Sequence, residues 1–260
     1  MKLDRVIAEK EGKTIYIDGD VCVKVFSEDF LKSDILNEAL NQARIEEAGI
    51  NIPKLIEVTT VDGKWAIVSE YIRGKTLEQL MLENADKKSE YLELLVDLQI
   101  EIQSKKSPLL NRLKDKMSRK IAQSDLEATT RYALHTSLES ITNHNKICHG
   151  DFNPSNIIVT EDGTPYILDW SKASQGNASA DAVRTYFFFL FSGDKDGAKE
   201  YLELFSKKSN IEMNNLQMWI PIVAASLSVD SNEKEKEKEK EKEILLALAN
   251  NEDYEKEITI

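Results

Sequence analysis

One stretch past the middle of the chain, residues 147–170, restricts the fold more than any other feature. It reads ICHGDFNPSNIIVTEDGTPYILDW. Two short apolar runs, residues 157–159 and 166–168, are separated by a segment that contains the turn signal Asp162-Gly163. Apolar runs of this length around an Asp-Gly pair predict a β-hairpin. The two ends of the hairpin are therefore expected to lie side by side.

Oxygen-bearing side chains stand at both ends of this predicted hairpin. Asn156 precedes the first apolar run, Asp169 follows the second, and Asp151 lies on the loop just before them. An amide oxygen and a carboxylate on one hairpin suit a hard ion such as Mg²⁺, which keeps waters and phosphate oxygens as its other ligands. An ordinary hairpin with a solvated Asp-Asn loop is the alternative interpretation.

The same residues carry a family resemblance. The run HGDFNPSN followed by LDW resembles the aminoglycoside phosphotransferase and choline kinase group, which has a protein-kinase-like fold. A protein kinase would usually show His-Arg-Asp and Asp-Phe-Gly at these places. Here Gly150 stands in place of the Arg, Trp170 in place of the Phe, and Asn153 where many protein kinases have a lysine. The resemblance therefore favours the small-molecule kinases.

The resemblance implies an α+β fold of two lobes. The small N-terminal lobe, residues 1–71, would contain an antiparallel β-sheet with one helix and would bind the nucleotide. The larger, mostly helical C-terminal lobe, residues 72–260, would carry the catalytic loop and the acceptor site. Asp151 would accept the proton of the acceptor hydroxyl, while Asn156 and Asp169 would hold Mg²⁺ on the phosphates of ATP.

Patterns in the N-terminal part agree with such a lobe. Helical spacing of apolar residues predicts one helix over residues 28–48. Short alternating or apolar runs bounded by turn residues predict strands at about residues 4–9, 13–18, 20–26, 54–61 and 64–70.

The third predicted strand, VCVKVF, contains Lys24. A charge inside an apolar strand is costly unless it is used or reaches solvent. By the resemblance Lys24 grips the α- and β-phosphates of ATP, and Glu38 on the following helix pairs with Lys24. A lysine that extends into solvent from an edge strand is the alternative, and Glu46 and Glu47 compete with Glu38 for the pairing.

Two connecting segments differ in how well they match the kinase pattern. The first turn, residues 9–13, reads EKEGK and has one glycine where GxGxxG is expected. It therefore gives little support for a backbone phosphate cradle, and an ordinary turn fits it equally. The segment SEYIRGKTL, residues 69–77, resembles the hinge between the lobes. By that resemblance Ser69 offers its carbonyl and Tyr71 its N–H to the adenine.

A helix is predicted soon after the LDW motif. Ser179 is expected to cap this helix, with Asp181 favoured in its first turn by the helix dipole. The resemblance implies that Asp181 braces the catalytic loop from behind, which is a structural role.

The rest of the C-terminal part is also predicted to be helical. Two further helices are expected at about residues 195–207 and 213–228. The run EKEKEKEKEKE at residues 233–243 predicts the solvent-exposed start of a last helix that docks by its apolar end. A disordered segment over residues 230–240 is the alternative.

The amino-acid composition excludes some classes of binding partner. The net charge of −12 argues against nonspecific nucleic-acid binding, which needs basic patches. No apolar run approaches the length of a membrane span, so no membrane partner is expected. The two cysteines, Cys22 and Cys148, have no disulfide or metal spacing, which agrees with a reducing, cytoplasmic location. Nothing in the sequence indicates the oligomeric state.

Taken together, these features predict an ATP- and Mg²⁺-dependent phosphotransferase. It would move the γ-phosphoryl group to a hydroxyl of a small molecule, such as an aminoglycoside, a choline-like compound or another hydroxylated metabolite. A protein kinase of atypical type and a non-catalytic nucleotide-binding regulatory module are the alternatives. The absent loop lysine counts against the first, and the presence of Lys24, Asp151, Asn156 and Asp169 counts against the second.

Overall fold

The five predicted N-terminal strands form one antiparallel sheet in the computed structural model, which describes residue 3 and residues 5–10, 12–229 and 236–251. The strands lie in the order β1-β2-β3-β5-β4. Their bounds are β1 (Arg5–Lys10), β2 (Lys13–Asp18), β3 (Val21–Phe26), β4 (Leu55–Val61) and β5 (Lys64–Glu70). Because β3 pairs with both β2 and β5, it is an inner strand, and its residues alternate between the two faces of the sheet.

The predicted first helix is α1 (Lys32–Glu47), and it covers one face of this sheet. Its buried residues Ile35 and Ala39 pack against Phe26 of β3 and Ile67 of β5. Glu38 lies next to Ala39 on the same buried side and is 6% exposed. A carboxylate is therefore held inside the layer between the helix and the sheet.

Beyond the sheet the chain becomes mostly helical, as predicted. It forms in turn β6 (Lys75–Thr76), α2 (Leu77–Glu83), α3 (Lys88–Ser104), α4 (Leu113–Gln123), α5 (Ala128–Ser140) and β7 (Lys146–Cys148). A complete capping box starts α2, in which Thr76 accepts from the N–H of Gln79 and the Gln79 side chain accepts from the N–H of Thr76.

The predicted hairpin is confirmed as β8 (Ile157–Val159) and β9 (Pro165–Ile167). β8 also pairs with the two-residue strand β6. This pairing needs Gly74, because a Cβ at that position would lie 2.3 Å from the carbonyl oxygen of Val159. The hairpin is thereby joined to the segment that follows the N-terminal sheet.

As a result, the chain divides into two compact units that are both discontinuous. The first unit is Met1–Ala85 with Pro154–Ala173, and the second is Asp86–Asn153 with Ser174–Ile260. This division differs from the predicted one at residue 71. The hairpin belongs with residues 1–85 because β8 pairs with β6 and because the N–H of Ile167 donates to the carbonyl of Asn51 at 2.9 Å.

In the second unit, β10 (Ser174–Gly176) pairs antiparallel with β7. Five helices follow: α6 (Ala178–Phe191), α7 (Lys195–Ser209), α8 (Met213–Gln217), α9 (Ile220–Ser228) and α10 (Lys236–Ala249). The prediction of one helix over residues 213–228 was wrong. Pro221 lies in the first turn of α9, where its missing N–H is tolerated and where a new helix begins.

The predicted cap of α6 was also wrong. Asn177 is the N-cap, and its side-chain oxygen accepts a hydrogen bond of 2.8 Å from the N–H of Ser179. Ser179 is itself buried in the first turn of the helix. Asn and Ser are both good N-cap residues. The prediction failed because the helix begins two residues earlier than expected.

The charged run before the last helix falls partly outside the described residues, which resume at residue 236. Within them, α10 packs against α9 and buries Leu245 and Ala249, as predicted for its apolar end. Lys242 forms an ion pair of 2.7 Å with Asp125. Over the ranges that the structure describes, no helix has the length and the apolar character that crossing a bilayer requires.

Candidate nucleotide site and catalytic loop

Lys24 and Glu38 form an ion pair in the first unit. Lys24 lies opposite Ile15 of β2 and Ile67 of β5, and its side chain is 18% exposed. Its Nζ lies 2.6 Å from Oε1 of Glu38. Because Lys24 shares a face of β3 with Phe26, which packs on α1, its side chain extends along the helix rather than into solvent.

The competing glutamates of α1 have other positions. Glu46 is exposed and accepts a hydrogen bond of 3.2 Å from the backbone N–H of Leu55. Glu47 is also exposed. The rotation of α1 therefore brings Glu38, and neither of these two residues, to the lysine.

Asp169 completes the ionic contacts of Lys24. The distance from Lys24 Nζ to Asp169 Oδ1 is 3.7 Å. Burial alone would lower the pKa of Lys24, but the carboxylates of Asp169 and Glu38 outweigh it and raise the pKa above its ordinary value. Lys24 is therefore held as an ammonium ion.

The backbone at Asp169 adopts a left-handed conformation, with φ 58° and ψ 72°. Side-chain-bearing residues rarely adopt it, and such residues cluster at functional sites. Two neighbours fix the turn that follows: the indole N–H of Trp170 donates to the carbonyl of Ile167 at 3.1 Å, and the amide of Asn41 on α1 donates to the carbonyl of Trp170 at 3.3 Å. The helix that carries Glu38 is thus also tied to the turn that carries Asp169.

Sequence reasoning missed Lys13, which also contacts Glu38. Its Nζ lies 3.1 Å from Oε2 of Glu38, so each oxygen of this carboxylate binds one ammonium group. We call Lys13, Lys24, Glu38 and Asp169 the Glu38 cluster. The available signal was the Gly12-Lys13 pair, because a lysine directly after the single glycine of the turn is a candidate cation.

Six of the seven predicted site residues line one cavity of about 400 Å³ in the first unit. They are Lys24, Glu38, Ser69, Tyr71, Asn156 and Asp169. Apolar side chains, among them Ile7, Ala8 and Ile67, form much of the remaining wall. An apolar cavity with a few convergent polar groups is the usual form of a small-molecule site.

At the predicted hinge, the two backbone groups differ in their surroundings. Ser69 belongs to β5 and lies opposite Cys22 of β3. The N–H of Tyr71 donates to the carbonyl of Asp20 at 3.0 Å. An adenine edge could use the Tyr71 N–H only if this bond were exchanged for one to the nucleotide.

The seventh site residue, Asp151, belongs to the second unit. It follows β7 on the loop that contains the buried His149 and Gly150, which has φ +83°. The N–H of Asp151 donates to Nδ1 of His149 at 3.2 Å. A glycine here allows a backbone conformation that other residues rarely adopt.

A buried network supports this loop from α3 and α6. Asp181 accepts the backbone N–H groups of His149 at 3.2 Å and of Gly150 at 2.8 Å, and Thr185 donates to the carbonyl of Phe152 at 2.7 Å. These contacts match the brace expected of Asp181. We call the side chains that support the loop the Asp181 network; they are Gln99, Gln103, Asp181 and Thr185.

The donor set fits a magnesium ion better than a zinc ion. Asn156 is 3% exposed and contributes an amide, while Asp169 contributes a carboxylate to the same cavity. In the part of the chain that the structure describes, no three His, Cys, Asp or Glu side chains come together as a metal site. Two oxygen donors suit Mg²⁺, which takes its remaining ligands from water and phosphate.

The chain has the two-lobed, protein-kinase-like fold that the sequence predicts, with a five-stranded antiparallel sheet and one helix in the N-terminal part and mostly helices in the C-terminal part. Residues 11–208 match the model of the phosphotransferase enzyme family, APH. The match spans well over half of the chain, which therefore belongs to that family.

Solved structures of similar fold include two kinds of kinase. A thermostable mutant of the aminoglycoside phosphotransferase APH(4)-Ia, in its apo form, has 13% identity and a TM-score of 0.70 over 96% of this chain and 95% of that chain. The choline kinase LicA from Streptococcus pneumoniae has 12% identity and a TM-score of 0.64 over 96% and 94%.

A third structure is a choline/ethanolamine kinase family protein from Mesorhizobium loti. It has 13% identity and a TM-score of 0.62 over 96% of this chain and 87% of that chain. Identities this low show a shared fold. No curated protein sequence matches the chain.

Proposed function

We propose that this member of the phosphotransferase family transfers the γ-phosphoryl group of ATP to a hydroxyl of a small molecule, in a reaction that requires Mg²⁺. One observation carries the proposal. Lys24, paired with Glu38 and next to Asp169, lines the same cavity as Asn156. A cation for phosphates and two oxygen donors for a hard metal ion are thus gathered in one small-molecule cavity.

The predicted site residues of the cavity would each have a role in nucleotide binding. Lys24 would bind the non-transferred phosphates, and Glu38 would keep its ammonium group pointed at them. Asn156 and Asp169 would hold Mg²⁺, which supplies neutralisation of phosphate charge when it is bound. Ser69 and Tyr71 would border the adenine, with the Tyr71 N–H released from Asp20 if it is to take part.

Asp151 would act on the acceptor. The acceptor oxygen attacks the γ-phosphorus, its proton passes to the Asp151 carboxylate, and the bond between the γ-phosphorus and the bridging oxygen of ADP breaks. The Asp181 network would keep the loop backbone fixed during this step, since its hydrogen bonds go to backbone groups of the loop. Catalysis would then depend on positioning and on charge, rather than on a covalent enzyme intermediate.

The acceptor is proposed to be a hydroxylated small molecule in the cytoplasm. Solved structures of similar fold include an aminoglycoside phosphotransferase in a complex with ADP and hygromycin B, and a choline kinase. The net charge of −12 is compatible with a cationic acceptor. Asn153, where many protein kinases have a lysine, makes a protein acceptor the weaker candidate.

Calorimetry tests the nucleotide site directly. We expect ATP to bind more tightly with Mg²⁺ than with a chelator, because Asn156 and Asp169 need the metal to contribute to affinity. Equal affinity under both conditions would contradict the metal pair. A screen for ATP consumption over hydroxylated metabolites and aminoglycosides then identifies the acceptor.

Lys24→Ala tests the cation of the site. We expect turnover to fall by about 10²-fold or more, the size seen when one preorganised charge donor is removed. Lys64→Ala is the matched control, since Lys64 is an exposed lysine at the start of β5 that does not line this cavity. Equal losses in the two variants would contradict the role of Lys24.

A further inference from the structure

We propose that Lys13 is a second phosphate-binding cation, and that its side chain replaces the backbone phosphate cradle that the first turn lacks. This inference rests on the proposed nucleotide site. In protein kinases a glycine-rich loop covers the phosphates, whereas the first turn of this chain has the single glycine Gly12. A lysine directly after that glycine offers a charged donor in place of several N–H groups.

The fold holds the Lys13 turn in one geometry. Gly12 has φ +67°, and a Cβ there would lie 2.8 Å from Oγ of Ser27 and 2.9 Å from a ring carbon of Phe30. The N–H of Ser27 donates to the Gly12 carbonyl at 2.7 Å. The turn is therefore fastened to the end of β3, and the position of Lys13 at the start of β2 follows from it.

The Lys13 side chain then extends inward over two aromatic rings. Its Nζ lies 5.3 Å from the ring centre of Phe26 and 5.4 Å from that of Phe30. The side chain is 19% exposed. Aromatic faces attract cations, so these rings help to keep the ammonium group at the cavity instead of in solvent.

The two lysines share one carboxylate unequally. Glu38 Oε1 is 2.6 Å from Lys24, whereas Glu38 Oε2 is 3.1 Å from Lys13. Lys24 also has Asp169 at 3.7 Å. The contact of Lys13 is thus the longer of the two bonds to Glu38, and a phosphate can replace it at lower cost.

The formal charges of the Glu38 cluster and of a bound nucleotide favour phosphate binding by Lys13. Lys13 and Lys24 balance Glu38 and Asp169, so the Glu38 cluster has no net charge. A nucleoside triphosphate brings more negative charge than one Mg²⁺ cancels. Lys13 and Lys24 are the two cationic side chains among the described residues that line the cavity. When Lys24 binds one part of the phosphate chain, Lys13 is the cation that remains for another.

A purely structural role makes a different prediction. If Lys13 only fastened the first turn to α1 through Glu38, its loss would weaken binding of every ligand that enters the cavity. If Lys13 binds phosphate, its loss would weaken binding only of ligands that carry phosphates. The affinity ratio between ATP and adenosine separates these two roles.

The main variant is Lys13→Met, which keeps an unbranched apolar side chain over Phe26 and Phe30 and removes the charge. With Mg²⁺ present, we expect the affinity for ATP to fall about 10- to 100-fold. This is the loss of one charge-assisted hydrogen bond, expressed as a ratio of dissociation constants. The affinity for adenosine should stay within about twofold of the wild-type value. Lys13→Arg, which keeps the charge, should retain most of the ATP affinity, and Lys64→Ala should behave as wild type.

The outcomes separate the failure of this inference from that of the proposed function. If the wild type binds Mg²⁺–ATP and Lys24→Ala weakens it while Lys13→Met does not, the inference is wrong and the nucleotide site stands. If Lys13→Met weakens ATP and adenosine equally, Lys13 is structural and the inference is also wrong. If the wild-type protein binds no ATP at all, both are wrong.

Discussion

The Glu38 cluster and the Asp181 network are both polar, but they differ in what they bind. In the Glu38 cluster, four charged side chains contact one another with 8–24% of each exposed. In the Asp181 network, side chains that are at most 4% exposed hold backbone N–H and carbonyl groups. One group consists of ions at a cavity, and the other consists of hydrogen bonds inside a core.

This difference determines which contacts a ligand can change. A phosphate or a metal ion can replace one partner of a partly exposed ion pair, because water and the ligand compensate the freed charge. A buried backbone N–H has no such substitute, and leaving it without an acceptor costs about 1–3 kcal/mol. We therefore expect ligand binding to rearrange the Glu38 cluster and to leave the Asp181 network unchanged.

The largest expected effect comes from Asp151→Asn, at a residue that belongs to neither group. Because Asp151 is assigned to the acceptor hydroxyl, phosphoryl transfer should slow by roughly 10²–10⁴-fold, the size of a general acid–base contribution. Binding of Mg²⁺–ATP should remain close to that of the wild type. The measurement pairs a nucleotide titration with turnover on the acceptor, or with slow ATP hydrolysis before the acceptor is known. Loss of nucleotide binding in this variant would show that the role of Asp151 is misassigned.

The second effect is on stability and comes from Asp181→Ala. Removal of this carboxylate leaves the N–H groups of His149 and Gly150 without their acceptor. We expect the free energy of unfolding to fall by about 3 kcal/mol or more, since at least two buried donors lose a charged partner. Urea unfolding measures this change. Asp181→Asn keeps one acceptor oxygen and should cost less, so equal losses in the two variants would contradict the hydrogen-bond explanation.

The family resemblance was sufficient to predict the ion pair of the first unit. A lysine in the apolar strand VCVKVF and the family pattern of the next helix singled out Lys24 and Glu38, and the structure joins them at 2.6 Å. The hairpin between Asn156 and Asp169 was also predictable from the sequence, because two apolar runs of three residues around an Asp-Gly turn strongly favour a β-hairpin. Periodicity and turn chemistry act over short distances, so the sequence displays them directly.

Contacts that depend on packing were not predictable in the same way. Lys13 reaches Glu38 across 25 positions of the chain, and it does so because Gly12 is fastened against Ser27 and Phe30. Likewise the two-residue strand β6 has no pattern of its own, yet it pairs with β8 of the hairpin, and both strands belong to the first unit. These features come from the assembled fold and not from any local preference.

The smallest expected effect comes from Glu38→Ala, which tests how the two lysines of the Glu38 cluster depend on their shared carboxylate. In Glu38→Ala both lysines lose their shared carboxylate, but Lys24 keeps Asp169 at 3.7 Å. Turnover should therefore fall by on the order of 10-fold, which corresponds to about 1.4 kcal/mol of lost positioning, and less than in Lys24→Ala. The matched control is Glu46→Ala on the same helix, because Glu46 is exposed and its carboxylate accepts a hydrogen bond from the backbone N–H of Leu55 instead of binding a lysine of the cluster. Turnover of the control should equal that of the wild type, with a small decrease of the melting temperature. A harmful Glu46→Ala beside a silent Glu38→Ala would mean that the working enzyme uses a different rotation of α1, and the assignment of Glu38 would then have to be given up.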